Sequence, residues 1–218
     1  MTYPRTSPVA SSLEKLDPTW DERFGMRVPL RFRGTEEEKA QFGDLAVSDL
    51  SALPKLGLKG AGALAWLSEA GIPVPDGIYD WNRMEGDGLV LRIDRNEVFL
   101  EEGSRGAVVG RLAARPGLGT TELVQRVEHQ EAGFLLSGGR AWEVLRQVCS
   151  YDFRDASETV VMTRAAAVSC MVLPGRVAGV PVYRIWCVPS YGVYLWDNLL
   201  QIVSGLGGSA VGLACFCD

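Results

Sequence analysis

Apolar positions fall into a regular pattern only from about residue 44 onward. Leu45-Ala46-Val47 and Leu56-Gly57-Leu58 are short apolar runs between polar residues and predict strands. Residues 61–70 predict a helix closed by Gly71. Residues 89–93 and 97–101 are alternating runs on either side of Asp94-Arg95-Asn96, the signature of a β-hairpin. One β-α-β-β unit is complete by Glu102. The pattern then recurs, because Leu58, Gly60, Ala63 and Leu67 match Leu136, Gly138, Ala141 and Leu145 at an offset of 78. A strand that ends in a glycine turn, followed by a small residue where the helix meets the sheet, accounts for this set of identities. The second copy continues with strand-like stretches at 160–173 and 181–188. A helix over 191–204 follows, with Val193, Trp196, Leu199, Leu200 and Val203 on one face and Gly205 as its stop.

The expected fold class is therefore α+β: two pseudo-repeated β-α-β-β-type units with mostly antiparallel sheets. Residues 1–43 read as a partly extended arm, with Pro4, Pro8, Pro18 and Pro29 among polar positions and no sustained apolar period. Such an arm is expected to need another surface to order it. The domain spans 44–205, in halves of about 44–115 and 120–205, and 206–218 reads as a flexible tail after the helix stop.

Composition narrows the function classes. At 47% hydrophobic over 218 residues the chain can bury a substantial core. A net charge of -5 and no cluster of Lys/Arg with interleaved aromatics leave no basic field for a phosphate backbone, so nucleic acid is not an expected partner. The longest apolar runs fall far short of the roughly 20 residues that cross a bilayer, and residues 1–6 contain no apolar leader. The expectation is a cytoplasmic protein with no membrane association. Five cysteines form no disulfide framework and read as reduced, mostly buried thiols. Cys215-Phe216-Cys217 is the one spacing that would suit a soft metal, though it has no second ligand pair.

Motifs for common chemistries are missing. Neither Gly57–Gly62 nor Gly117–Thr121 has the spacing of a dinucleotide loop. The single histidine, His129, leaves no second imidazole for a metal centre and no nucleophile elbow to serve. No catalytic residue and no metal ligand is assigned. Most of Trp66, Trp142, Trp186, Tyr191, Tyr194 and Trp196 read as core aromatics, but Tyr194 and Trp196 cannot both face inward on one helix. One of the two is expected at a subunit contact.

Val47-Ser48-Asp49-Leu50-Ser51 followed by Leu56-Gly57-Leu58-Lys59-Gly60 resembles the opening of aminomethyltransferases, where a D-L-S motif precedes a strand and a glycine turn. Residues 87–101 resemble the paired strands that follow in that family. Tyr183-Arg184-Ile185-Trp186, then Pro189-Ser190-Tyr191 leading into Tyr194-Leu195-Trp196, is similar to the gamma subunit of heterotetrameric sarcosine oxidases within this folate-binding superfamily. The resemblance covers about residues 45–205. The downstream half of a full aminomethyltransferase is absent, as is the K-G-C-x-x-G-Q-E motif of the iron-sulfur maintenance branch.

This resemblance implies an aminomethyltransferase N-terminal-like fold and a non-catalytic subunit of a sarcosine oxidase-like N-methyl amine oxidase complex in one-carbon metabolism. Flavin and NAD would belong only to larger flavoprotein oxidase subunits. The alternative is a stand-alone folate-binding protein or small tetrahydrofolate-dependent aminomethyltransferase, acting as a homo-oligomer if isolated. Tetrahydrofolate is the cofactor implied for this chain itself. Asp49, Asp87, Glu97 and Glu101 are its candidate cofactor-binding residues, because a carboxylate accepts from the N–H donors of a pterin ring. Asp94 reads as a turn residue.

Overall fold

A computed structural model describes residues 5–115, 118 and 123–217. In chain order these form β1 (Arg5–Thr6), α1 (Ala10–Glu14), β2 (Thr19–Arg23), β3 (Met26–Arg31), α2 (Thr35–Asp44) and β4 (Ala46–Asp49). Next come β5 (Lys55–Lys59), α3 (Ala63–Glu69), β6 (Trp81–Arg83), β7 (Leu89–Asp94), β8 (Glu97–Glu101), α4 (Val108–Ala113) and β9 (Gln125–Val127). The chain closes with β10 (Ala132–Ser137), α5 (Ala141–Val148), β11 (Val161–Ala165), β12 (Val168–Val177), β13 (Val180–Cys187), α6 (Gly192–Gly205), β14 (Ser209–Ala210) and α7 (Ala214–Cys217). Two compact units result: unit one comprises 1–52 with 131–218, and unit two 53–130.

The internal repeat is visible in the topology. Unit two holds a five-stranded sheet in the order β6-β7-β8-β5-β9, and unit one a six-stranded sheet in the order β11-β12-β13-β10-β4-β14. The run β6-β7-β8-β5 corresponds strand for strand to β11-β12-β13-β10, each group antiparallel throughout. In each copy the strand before the repeat pairs away from it: β4 joins β10, and β9 joins β5.

The residues matched at an offset of 78 do equivalent work in both copies. Gly60 has φ +127 and Gly138 φ +107; a Cβ on Gly60 would lie 2.4 Å from the Leu123 carbonyl oxygen, and one on Gly138 would lie 2.1 Å from that of Asp44. Only glycine fits a left-handed turn pressed against backbone. Ala63 and Ala141, and Leu67 and Leu145, are all fully buried where each helix meets its sheet.

In unit two, alternation along β5 and β8 sends Leu56, Leu58, Val98 and Leu100 into a core with Ala63, Leu67, Val108 and Leu112. In unit one, Val47, Phe134, Leu136, Tyr183 and Ile185 from the sheet pack with Val144, Leu145, Leu195, Trp196, Leu199 and Val203 from α5 and α6. Helix α6 buries Leu195 and leaves Val193 38% exposed, so its apolar face is rotated from the one the sequence spacing suggested. Trp196 is fully buried and Tyr194 is 53% exposed, which settles which of the two faces out.

Three segments differ from their expected form. Residues 160–173 are not one strand, because Ala166 and Ala167 take φ +47 and +67 and turn β11 back onto β12. The arm finds its ordering surface in its own chain: Val9 and Leu13 are fully buried and sit in the same core as Trp196. Its strands form a separate sheet in the order β1-β3-β2. The residues after α6 do not trail: Ser209 and Ala210 pair in parallel with Ala46 and Val47, and Val211 and Leu213 are buried. Burial of a few apolar residues at each end outweighs the polar composition of these segments.

One buried carboxylate fastens these two ends of unit one together. Glu38, in α2 and fully buried, accepts from the backbone N–H groups of Phe32 at 2.5 Å, Arg33 at 3.0 Å and Gly212 at 3.2 Å, and from the Cys215 thiol at 3.5 Å. Four donors on one carboxylate are what makes a buried charge tolerable.

Candidate functional site

The D-L-S motif is a turn that ties the exit of β4 to β10. The Asp49 carboxylate accepts from the Ser51 N–H at 3.0 Å and from its hydroxyl at 2.5 Å; the hydroxyl in turn accepts from the Gly133 N–H at 3.1 Å. The Leu50 N–H adds a backbone bond to the Gly133 carbonyl at 2.7 Å. Asp49 is 4% exposed, a buried carboxylate oriented by its own turn.

The hairpin acids lie in unit two, where pairing of β5 with β8 decides their environment. Lys55 stands opposite Glu101 and Lys59 opposite Glu97, so the sequence K-L-G-L-K meets E-V-F-L-E with a charge pair at each end. Lys59 Nζ is 2.9 Å from Glu97, a rim pair in which the hydrogen bond and charge of Glu97 push the ammonium pKa upward. At the other end, Lys55 Nζ lies 3.5 Å from Glu101 with the two side chains only 2% and 1% exposed, and it also donates to the Leu53 carbonyl at 2.9 Å. Between these pairs the face is closed by the imidazole of His129. A Cβ on Gly57 would come within 2.3 Å of that ring, which meets Phe99 edge-on at 5.0 Å between centroids. Gly57 thus leaves the space that the edge of the imidazole occupies against β5. Of the two glycine stretches weighed for a dinucleotide, Gly57–Gly62 is strand and turn. Gly117–Thr121 lies outside the described residues, Leu118 excepted.

Asp87 sits in the turn before β7 with φ +66, paired at 3.5 Å with exposed Arg83. The three hairpin acids do not converge. Glu97 and Glu101 share a face of β8, but four residues of strand put them about 13 Å apart. Asp49 belongs to the other unit. Asp94 accepts from the Arg95 N–H, the turn role its position suggested.

Two features escaped the sequence reading. Lys55 and Lys59 stand outside the candidate set, although the mirrored spacing of like-charged residues on two strands that pair is legible. Glu38 lies in the segment expected to be a partly extended arm, and no local pattern marks it as the one acid of α2 that turns inward.

Among the described residues no group of three or more His, Cys, Asp or Glu is arranged to hold a metal ion. The Cys215 thiol instead rests on Glu38, and burial, with the Glu38 carboxylate adding to it, pushes its pKa up to about 12. Among the described residues no helix is long and apolar enough to cross a membrane.

No protein-family model and no curated protein matches this sequence. Solved structures do share the fold. Aminomethyltransferase T of the glycine cleavage system from Bartonella henselae aligns with a TM-score of 0.76 at 17% identity, over 98% of this chain and 61% of that one. A chain of the heterotetrameric sarcosine oxidase from Corynebacterium sp. U-96, solved with pyrrole 2-carboxylate, aligns with a TM-score of 0.65 at 18% identity, over 94% of this chain and 97% of that one. The fold is aminomethyltransferase-like, as the D-L-S motif and the paired strands implied. This chain spans 61% of the length of the aminomethyltransferase.

Proposed function

We propose that this chain is a non-catalytic subunit, of the gamma type, in a sarcosine oxidase-like N-methyl amine oxidase complex. The observation that carries this reading is one of extent: the chain aligns with 97% of a chain from a heterotetrameric oxidase, but with only 61% of an aminomethyltransferase. Alignment along nearly the whole of a chain from a heterotetramer supports reading this chain as a subunit. Flavin and NAD would then reside in larger flavoprotein partners. The surface agrees with a life in a complex, since Val188, Tyr191 and Tyr194 are each more than half exposed within one short stretch at the start of α6. Aromatic side chains of this kind anchor protein contacts.

A second reading is a stand-alone folate-binding protein or small tetrahydrofolate-dependent transferase, cytoplasmic and self-associating. Asp49 favours it: a buried, pre-oriented carboxylate suits the N–H donors of a pterin ring, and Asp87, Glu97 and Glu101 are its further candidates. Calorimetry of the purified chain against tetrahydrofolate, with size-exclusion chromatography of the same sample, separates the two. The first reading predicts no saturable heat in the micromolar range. Micromolar binding that Asp49→Asn abolishes would replace it with the second.

A further inference from the structure

Unit one contains a cleft of about 280 Å³ where the β12–β13 hairpin, the start of α5 and the segment leading into β11 come together. Its floor is aromatic and already fixed. Tyr183 donates its hydroxyl to the Phe153 carbonyl at 3.0 Å, and the two rings meet edge-on at 5.8 Å between centroids. Phe153 is 3% and Tyr183 7% exposed, so neither has to be reordered when a ligand arrives.

The walls are cationic. The Arg154 guanidinium lies 4.2 Å over the ring of Trp142, which holds a planar donor group at the cleft with one face already covered. Arg176 comes from the hairpin side, braced by donation to the Gly179 carbonyl at 2.9 Å. Glu158 is the one carboxylate among the lining residues, so two arginines against one glutamate leave the lining at +1 on a chain of net -5. Asp152, outside the lining, accepts from the Arg154 N–H at 3.0 Å. None of the four candidate acids lines this cleft.

We propose that this cleft binds a small monocyclic aromatic carboxylate, its ring on the Phe153–Tyr183 floor and its carboxylate facing Arg154 and Arg176. The volume lies just under the roughly 300–1,000 Å³ usual for ligand pockets, which suits a single ring. Planar guanidinium groups match a carboxylate edge-on, and an apolar floor favours an anion that carries an apolar body over bare phosphate.

The test labels tryptophan with ¹⁵N. The protein has six tryptophans, and the indole signal missing in Trp142→Phe identifies Trp142. Titration with benzoate is expected to shift that signal saturably with a Kd of about 1 mM or tighter. Benzamide, of the same shape without the charge, binds at least about tenfold more weakly, and Glu158→Gln tightens benzoate binding. Arg154 and Arg176 are exposed, so Arg154→Gln/Arg176→Gln folds with an unchanged melting temperature and loses the shift. No saturable shift by about 10 mM benzoate, equal response to benzamide, or binding retained in the double variant would overturn the proposal. Inorganic phosphate competing as strongly as benzoate would overturn the assignment of an aromatic ligand.

Discussion

The buried Lys55–Glu101 pair allows the most demanding test of the unit-two site. Both side chains are essentially inaccessible to solvent and the ammonium sits 3.5 Å from the carboxylate. In Lys55→Met the carboxylate stays in a dehydrated strand pair without the Lys55 ammonium, and the Leu53 carbonyl loses a donor. Breaking a buried pair in this way costs about 3–5 kcal/mol. That is a large share of the 5–15 kcal/mol typical of a folded domain. Replacing both partners, as in Lys55→Met/Glu101→Leu, removes both buried charges and fills the space with carbon, so the double variant should lie within about 1 kcal/mol of wild type. Equilibrium urea unfolding of wild type, both single variants and the double variant gives the cycle, with a coupling energy of at least about 2 kcal/mol expected. If Lys55→Met costs less than about 1 kcal/mol, or the two single effects simply add, the pair is hydrated and the description of this face fails.

Other outcomes follow from single residues. Gly138→Ala should lose about 2–5 kcal/mol, from the left-handed backbone and the clash with the Asp44 carbonyl, while Gly139→Ala, with open space around it, should stay within about 0.5 kcal/mol; denaturant midpoints compare them. Glu38→Gln should release the last turn of unit one, read as faster amide hydrogen exchange at Gly212 and Cys215, because a neutral amide holds their donors less strongly. Burial raises the thiols of Cys170 to about 11 and of Cys187 and Cys215 to about 12, from an ordinary 9.0. The fold therefore holds these protons more tightly than the unfolded chain. Their stabilisation is complete below about pH 9 and is lost as pH rises toward 12, so urea midpoints should fall over that window and Cys187→Ala should flatten the decline. Tyr194→Ser should leave the melting temperature nearly unchanged yet weaken association with an oxidase partner, measured by co-elution.

Much of this architecture was readable because the repeat writes the same local demands twice. Gly60 and Gly138 must be glycine, and Ala63 and Ala141 must be small, so four identities at one offset were enough to expect two like units. The β7–β8 hairpin and the helix ending at Gly205 were likewise set by neighbours in sequence. What stayed hidden depends on partners distant along the chain. Nothing near Val9 or Ser209 indicates that the first and last segments are built into unit one. Glu38 is distinguished from Glu36 and Glu37 only by which side of α2 meets residues 32, 33 and 212. The candidate acids were found as residue types, but their neutralising lysines required knowing that β5 and β8 pair in antiparallel register with Lys55 against Glu101.

Isolation of the tagged chain from its native cells under gentle conditions bears most directly on the proposed role. The eluate would be assayed for bound flavin and for hydrogen peroxide released on adding sarcosine or another N-methyl amine. This chain is expected to co-elute with larger flavin-containing polypeptides and amine-dependent oxidase activity, and the purified chain alone to show neither. A chain that elutes by itself, free of flavin and of oxidase activity, would contradict it.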